Sequence, residues 1–331
     1  MFPQDKSSFL VYYILMIKKS KKILITWWSG FIGSNLAREL VKLWFSDVYL
    51  ILREWSNTRR INDIMDKLKI KYGTLLDENF INHCVAEINP DIIYHLAADW
   101  VLKTQRSIVD IYKNNVIWTI NLVSACLKNW FEYFINTWTN FEYLAKNTPS
   151  KETDFLAPNS DYAVSKAATT LYCSYIWKNY NVPIYTFRLF CVYWPYENKT
   201  RLIPSLALSY MNNESPKLSK PDSVRDFIYI DDIIKYYINI DCIKWDFWWV
   251  LNIWSWKQYS VEDMASFMKK ISGSNLDPIF WEIPVKRNES KMYKTDTKKM
   301  EQTFNIPQIS ILEWLNKTYS WFLKNRKLYD E

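Results

Sequence analysis

Between Lys21 and Pro183, short apolar runs alternate with stretches whose apolar residues recur every three or four positions. The first pattern is that of buried strands and the second that of helices. The runs fall at 23–26, 48–52, 91–95, 133–137 and 184–189, with a weaker one at 70–72. Near-continuous apolar runs suit strands covered on both faces, and the intervening helices supply the covers. The pattern therefore predicts an α/β fold with a parallel, doubly wound sheet. Beyond about Arg188 the alternation loosens: Pro204, Pro216, Pro221, Pro278 and Pro284 punctuate shorter segments, while helices stay readable at 261–271 and 311–323. Residues 21–187 are read as one sheet-based domain and 188–331 as a smaller domain interleaved with it.

Residues 1–20 form a separate extension. Positions 9–17 are nine apolar residues followed by Lys18, Lys19, Lys21 and Lys22. That run is too short to span a bilayer, and its basic flank is on the wrong side for a signal peptide. Met16 stands in frame just before the first strand, so the expectation is an over-extended start site, with a membrane-touching arm as the alternative.

Composition narrows the class. A chain of 331 residues that is 49% hydrophobic has ample material for a core. Its five cysteines, odd in number and widely spaced, point to buried free thiols in a reducing cytoplasm. Two histidines are too few for a multi-histidine metal site, so no metal is expected. The net charge of +7 is spread along the chain without a nucleic-acid motif, and a modest positive field suits an anionic nucleotide equally well.

Eighteen tryptophans stand against four glycines. Their total is close to the roughly 23 glycines that a usage of about 7% would give a chain of this length. Many tryptophans occupy turn contexts: Trp27 and Trp28 in T-W-W-S-G-F-I-G, Trp55 in E-W-S-N, Trp194 in V-Y-W-P-Y, Trp254 and Trp256 in N-I-W-S-W-K. The reading is that UGA encodes glycine in this gene and has been translated as tryptophan. Trp27, Trp55, Trp138, Trp194 and Trp254 should then sit in turns or loop mouths, several of them exposed or at positive φ. Trp321, within an apolar helical pattern, is the best candidate for an authentic tryptophan.

With glycine restored at 27 and 28, the segment between the first strand and the helical stretch from Ser34 reads T-G-G-S-G-F-I-G. Such a strand, tight turn and helix cradle a pyrophosphate, and the sheet becomes one of Rossmann type. Arg53 lies twenty residues after Gly33, at the end of the second strand, where dinucleotide folds read the adenosine ribose. An acidic residue there would bind the 2′-hydroxyl. An arginine favours the 2′-phosphate of NADP(H), with NAD(H) the alternative because Glu54 adjoins it.

The catalytic signal is Tyr162-Ala163-Val164-Ser165-Lys166 in a helical segment. A spacing of four stacks phenol and ammonium on one face, and a nearby cation favours phenolate, bringing tyrosine toward working range. Upstream, Thr139 closes a strand at the carboxyl edge of the sheet, where doubly wound folds bind ligands, and offers a hydroxyl to the reacting oxygen.

These motifs resemble the extended short-chain dehydrogenase/reductase family, specifically its nucleotide-sugar epimerases, dehydratases and 4-ketoreductases. The resemblance covers about 21–324 and is carried by T-W-W-S-G-F-I-G (26–33), H-L-A-A (95–98), N-V-I-W-T (115–119), T-N-F-E-Y (139–143), Y-A-V-S-K (162–166), R-L-F-C-V-Y-W-P (188–195) and R-D-F-I-Y-I-D-D (225–232). It implies Tyr162 as acid/base, Lys166 on the nicotinamide ribose and lowering the tyrosine pKa, Thr139 on the sugar oxygen and Asn115 in the supporting network. It implies cofactor contacts from Gly30, Phe31, Ile32, Gly33, Arg53, Leu96, Ala97, Ala98, Tyr162 and Lys166, and contacts to the substrate diphosphate from Arg225 and Arg287. A homodimer is also implied.

The departures matter. Dehydratases of this group carry Asp-Glu after the catalytic threonine, where this chain has Asn140 and Phe141, so 4,6-dehydration is disfavoured. Thr74 replaces the acidic residue that contacts adenine, and Trp27, Trp118, Trp138 and Trp194 replace family glycines. The expected function is a C4 epimerase or 4-ketoreductase of a nucleotide sugar in surface-polysaccharide precursor synthesis. The rival is a catalytically silent dinucleotide-binding sensor or assembly subunit.

Overall fold

The computed structural model describes residues 17–26, 30–98, 107–144, 146, 148–193, 197–243, 249–255, 257–284, 295–296, 298–304, 306 and 308–329. Trp27, Trp28, Trp194, Trp256, Arg287 and the extension up to Met16 lie outside the described residues. Strand β1 (Ile23–Thr26) precedes helix α1 (Phe31–Lys42), whose N-cap is Gly30, and β2 (Val48–Leu52) and β3 (Lys69–Tyr72) follow. Helix α2 (Glu78–Ile88) starts where the Asp77 carboxylate accepts the Phe80 N–H, and ends at Asn89 in the left-handed conformation. Next come β4 (Ile92–His95), α3 (Ile108–Tyr112), a π turn (Lys113–Ile117), α4 (Trp118–Cys126) and β5 (Tyr133–Thr139). Helix α5 (Asp161–Tyr180) is capped by the Ser160 hydroxyl on Ala163 N and stops at left-handed Asn181.

Strands β6 (Ile184–Leu189) and β7 (Cys191–Tyr193) precede α6 (Leu202–Met211), β8 (Val224–Tyr229), α7 (Ile230–Ile238), β9 (Val250–Ile253) and β10 (Gln258–Ser260). The chain closes with α8 (Val261–Ser272), α9 (Lys298–Thr303) and α10 (Ile311–Asn325). The main sheet is parallel throughout, in the order β3-β2-β1-β4-β5-β6-β9. Strand β9 thus returns from the second half of the chain to complete it. A smaller sheet, β10-β8-β7, packs with α6, α8 and α10 around a core of its own.

Because successive strand residues face opposite ways, Ile23 and Ile25 enter the core shared with α1 and α7, while Leu24 enters that of α2 and α4. Strand order reverses between β1 and β4, which opens a crevice at their carboxyl ends, the place where such folds bind ligands. Among the described residues, no helix is long and apolar enough to cross a membrane. All five cysteines are free, with Cys84, Cys126 and Cys173 buried.

The tryptophans divide. Trp55 lies in an exposed turn, as expected. Trp138, however, is inside β5 and only 3% exposed, and Trp254 is buried directly after β9. The expectation of loop mouths fails for Trp138 because β5 runs two residues beyond the apolar run that marked it. Two other tryptophans, Trp44 and Trp281, have φ of 65° and 68°, the left-handed region that suits glycine rather than a bulky side chain.

Where β5 ends, Glu142 and Arg188 form an ion pair, 2.9 Å apart and at most 1% exposed. Arg188 donates from Nε and Nη2 to Glu142 Oε2 and from Nη1 to the Tyr143 hydroxyl, while Thr170 of α5 donates to Glu142 Oε1. Tyr143 in turn donates to Asn252 Oδ1 on β9. Burial pushes the Glu142 carboxyl up, opposed by Arg188, and burial works against the guanidinium, which Glu142 and Tyr143 nevertheless hold above its usual range. Removing one partner of such a pair strands the other. Glu142→Gln should therefore lose roughly 3–5 kcal/mol in urea denaturation, and Glu142→Leu combined with Arg188→Met should regain most of it. A single-variant loss below about 1 kcal/mol, the worth of an exposed pair, would show that water reaches these charges.

Candidate active site

A cavity of about 340 Å³ opens at the carboxyl ends of the central strands. Gly30, Phe31, Ile32 and Gly33 form one wall, with Leu96 and Ala98 beyond β4. Thr137, Trp138 and Thr139 of β5 and Tyr162 and Lys166 of α5 also line it. Glu197, Asn198, Arg201 and Arg60 complete the lining.

A buried chain of hydroxyls fixes the floor. The Thr26 hydroxyl accepts from Leu96 N and Ala97 N, each at 3.2 Å, and lies 2.9 Å from His95 Nδ1. Thr119 donates to the Asn115 carbonyl at 2.7 Å, so at 2.9 Å from His95 Nε2 it accepts the ring proton. The ring therefore carries its hydrogen on Nε2, and Thr26 donates to Nδ1. Burial, aided by the Lys166 charge, pushes the His95 pKa down to about 3, so the ring is neutral at ordinary pH. Thr26 thereby holds the backbone after β4 against the end of β1.

Tyr162 and Lys166 stand one turn apart on α5 and both face the cavity, with Thr139 opposite at the end of β5. Asn115, at the π turn, donates to the Ser165 hydroxyl at 2.8 Å, and Ser165 donates to the Tyr162 carbonyl at 2.8 Å. Asn115 thus braces the helix from behind and does not line the cavity. The Thr139 hydroxyl caps the short turn 140–142 by accepting from Phe141 N at 3.3 Å.

The Lys166 ammonium differs from expectation. It lies 3.1 Å from the centre of the Trp138 ring and 5.7 Å from that of Tyr162, and the Trp138 indole N–H donates to the Lys166 carbonyl. Burial, with Glu142 adding to it, raises the Tyr162 pKa, and the cation that opposes this is Arg201 rather than Lys166. Burial also pushes Lys166 well below its ordinary value, with Glu142 opposing.

Other sequence-derived candidates stand apart. Arg53 does not line the cavity; its guanidinium carbon lies 6.0 Å from the rings of Trp55 and Trp118. Ala97 contributes its backbone N–H to Thr26. Arg225 is on β8, outside the cavity lining, and donates to the Val224 carbonyl at 2.8 Å. Sequence reasoning missed Arg60, Glu197, Asn198 and Arg201. Nothing in local periodicity separates them from surface residues, although the placing of Arg201 at the start of α6, after R-L-F-C-V-Y-W-P, was a usable signal.

Residues 23–240 match the NAD dependent epimerase/dehydratase family. The chain belongs to that family. It is 25% identical over 319 residues to the trifunctional UDP-glucose 4,6-dehydratase/UDP-4-keto-6-deoxy-D-glucose 3,5-epimerase/UDP-4-keto-L-rhamnose-reductase of Arabidopsis thaliana, across 93% of this chain and 48% of that protein. The chain thus spans about half the length of that curated relative. Among solved structures it is similar to a UDP-glucuronic acid 4-epimerase from Bacillus cereus in complex with UDP-glucuronic acid and NAD. That likeness has a TM-score of 0.79 and 26% identity, over 92% of this chain and 99% of that one. UDP-glucose 4-epimerase from Thermotoga maritima shares the fold, with a TM-score of 0.81 at 21% identity over 92% and 99%.

The cavity residues fit the dinucleotide of this family. The start of α1 at Gly30 presents backbone N–H groups to an anion, Phe31, Ile32, Leu96 and Ala98 offer an apolar wall, and Tyr162 and Lys166 converge on the inner end. The Trp138 indole lines that end as well, against the Lys166 ammonium.

Proposed function

We propose that the chain is an NAD(P)-dependent enzyme acting at C4 of a nucleotide-activated sugar, as a 4-epimerase or 4-ketoreductase in surface-polysaccharide precursor synthesis. The observation that carries this reading is Thr139, Tyr162 and Lys166 around one cavity that also takes in the start of α1 at Gly30 and Gly33. The Tyr162 hydroxyl moves the proton at the sugar O4, and the Thr139 hydroxyl holds that oxygen. Lys166 supplies the positive charge that lets phenolate form despite burial, once its ammonium is released from Trp138. Asn115, through Ser165, holds the helical turn that carries both groups. The nicotinamide, when bound, exchanges hydride with the sugar carbon. Asn140 and Phe141 offer no acid and base for removing water, which weighs against 4,6-dehydration. A silent dinucleotide-binding protein would have no use for the proton-moving trio.

The cofactor is NADP(H) in this reading, with NAD(H) the alternative, since the loop after β2 carries arginine where a 2′-hydroxyl would call for an acid. Residues 21–187 hold the cofactor and 188–331 the nucleotide sugar. Arg201, which lines the cavity where Arg225 does not, takes the diphosphate role, with Arg287 retained from the family pattern.

The tryptophans in turn contexts and at family-glycine positions, Trp27, Trp28, Trp55, Trp118, Trp138, Trp194, Trp254 and Trp256, stand for glycines encoded by UGA, with Trp321 the best candidate for an authentic tryptophan. Support comes from Trp44 and Trp281 at positive φ, and from the buried indole N–H groups of Trp118 and Trp254, which find no acceptor among the described residues. Each such orphaned group costs about 1–3 kcal/mol. Trp138 adds the occupied cofactor end.

The protein acts in the cytoplasm as a homodimer. Val164, Ala168, Leu171 and Tyr175 form one exposed stripe along α5, beside exposed Ile108, Val109 and Ile117 on the adjoining helical segment. A contiguous apolar stripe of this kind marks a protein interface.

Three outcomes are expected. Screening nucleotide sugars and their 4-keto derivatives, Tyr162→Phe should lower kcat about 10²–10⁴-fold while dinucleotide affinity holds. Parental turnover would assign the proton to another group. Peptide masses of the protein from its own source should show glycine at Trp27, Trp28, Trp55, Trp138, Trp194 and Trp254; UGG at all eighteen codons would end the recoding reading. Light scattering should show a dimer that Leu171→Glu converts to monomer; an unaltered mass would move the interface elsewhere.

A further inference from the structure

Glu197, Arg201 and Tyr162 line one cavity, and the linear pattern singled out only the last of them. The short turn before α6 fixes the other two. Arg201 is the N-cap residue of α6, and its N–H donates to the Asn198 carbonyl at 2.9 Å, while Asn198 Oδ1 accepts from the N–H and the hydroxyl of Thr200, each at 3.0 Å. The Glu197 carbonyl accepts from the Tyr329 hydroxyl at 3.2 Å, which ties the turn to the C-terminal segment. Within this frame Arg201 donates from Nε to Glu197 Oε1 at 3.0 Å, with the glutamate side chain buried and that of the arginine 44% exposed. A carboxylate four residues earlier thus orients the guanidinium.

The charges that act on the phenol come from three elements. Lys166 shares α5 with Tyr162, Glu142 follows β5, and Arg201 precedes α6. Burial raises the Tyr162 pKa, Glu142 adds to the rise, and Arg201 opposes it. Burial works against the Arg201 guanidinium too, yet Cys191 of β7, Glu197 and Tyr162 hold it above its usual range. Burial pushes Cys191 up, with Arg201 and Arg225 opposing and Glu197 and Asp226 adding, so it stays a thiol at ordinary pH. His95, which feels the Lys166 charge, is neutral as well.

We propose that Arg201, oriented by Glu197, is a second cation for the Tyr162 phenol, so that Lys166 favours phenolate from within α5 and Arg201 favours it from the turn before α6. Glu197 is then a positioning residue that also moderates the charge it orients. This rests on the reading of Tyr162 as the acid/base and adds to the diphosphate contact given to Arg201, since a guanidinium carries five donors and Glu197 needs one. An acid/base is most effective when its pKa approaches the working pH. Two cations, set against burial and Glu142, bring the phenol nearer to that condition than one.

The test is an ultraviolet titration of phenolate in the full chain, in the residue set that the peptide masses establish, with the Tyr162→Phe signal subtracted to isolate the one phenol. Tyr162 should ionise below the ordinary tyrosine value of about 10. Arg201→Met should move that ionisation up by about half a pH unit, the scale left to a partly solvated charge, and Arg201→Lys should restore most of it. Glu197→Gln keeps an acceptor for Nε but removes the opposing charge, so the ionisation should move down by a similar amount. Opposite shifts from two neighbouring side chains report charge, because a loss of packing would move both variants the same way. A parental Tyr162 that ionises at or above about 10, an Arg201→Met variant without a shift, or a Glu197→Gln shift in the same direction as that of Arg201→Met would overturn the proposal. If Arg201→Met loses its fold, the direction of the Glu197→Gln shift decides. The enzyme reading is separate from all of these, since it stands or falls on turnover by Tyr162→Phe.

Discussion

A carboxylate and a guanidinium without access to water hold the centre of this molecule. Glu142 leaves the end of β5, Arg188 lies in β6 next to Trp138, and Thr170 reaches the same carboxylate from α5, one turn beyond Lys166. Taking two charges out of water is costly, and the cost is offset only when geometry and remaining hydrogen bonds are complete. Here five bonds involving Arg188, Thr170, Tyr143 and Asn252 supply that completeness. The same bonds lock strands β5, β6 and β9 to the helix that carries Tyr162 and Lys166. The position of the reactive groups is thus a consequence of how this pair is satisfied.

Position 138 shows how one side chain alters the chemistry around it. An indole in β5 next to Arg188 covers the Lys166 ammonium and donates its N–H to the Lys166 carbonyl, leaving Arg201 as the cation that acts on Tyr162. A residue without a side chain would leave that space to a ligand. The same physical mismatch recurs at Trp44 and Trp281, where the backbone turns left-handed, and at Trp118 and Trp254, where a buried N–H meets no acceptor among the described residues. These are independent strains, of backbone, hydrogen bonding and sterics, and glycine relieves each of them.

Some parts of this structure were legible from linear order alone. The parallel strands 23–26, 48–52 and 184–189 coincide with apolar runs because each is covered on both faces, and α8 and α10 follow their caps, Ser260 with Asp263 and Ser310. Tyr162 and Lys166 share a face because helix geometry makes a spacing of four a contact. Thr139 could be placed at the sheet edge because strands of a parallel sheet end where the crossovers begin.

Local spacing decides who shares a helix face or a strand end, and it determined the sheet and the Tyr–Lys pair. It carries no information about which residues distant in sequence converge. Arg60, Glu197 and Arg201 enter the cavity, and Arg53 and Arg225 stay out of it, through loop paths and packing that no periodicity encodes. Whether Lys166 serves Tyr162 or rests on Trp138 is likewise a matter of tertiary contact, since an ammonium goes to whichever partner the buried surroundings bring nearest.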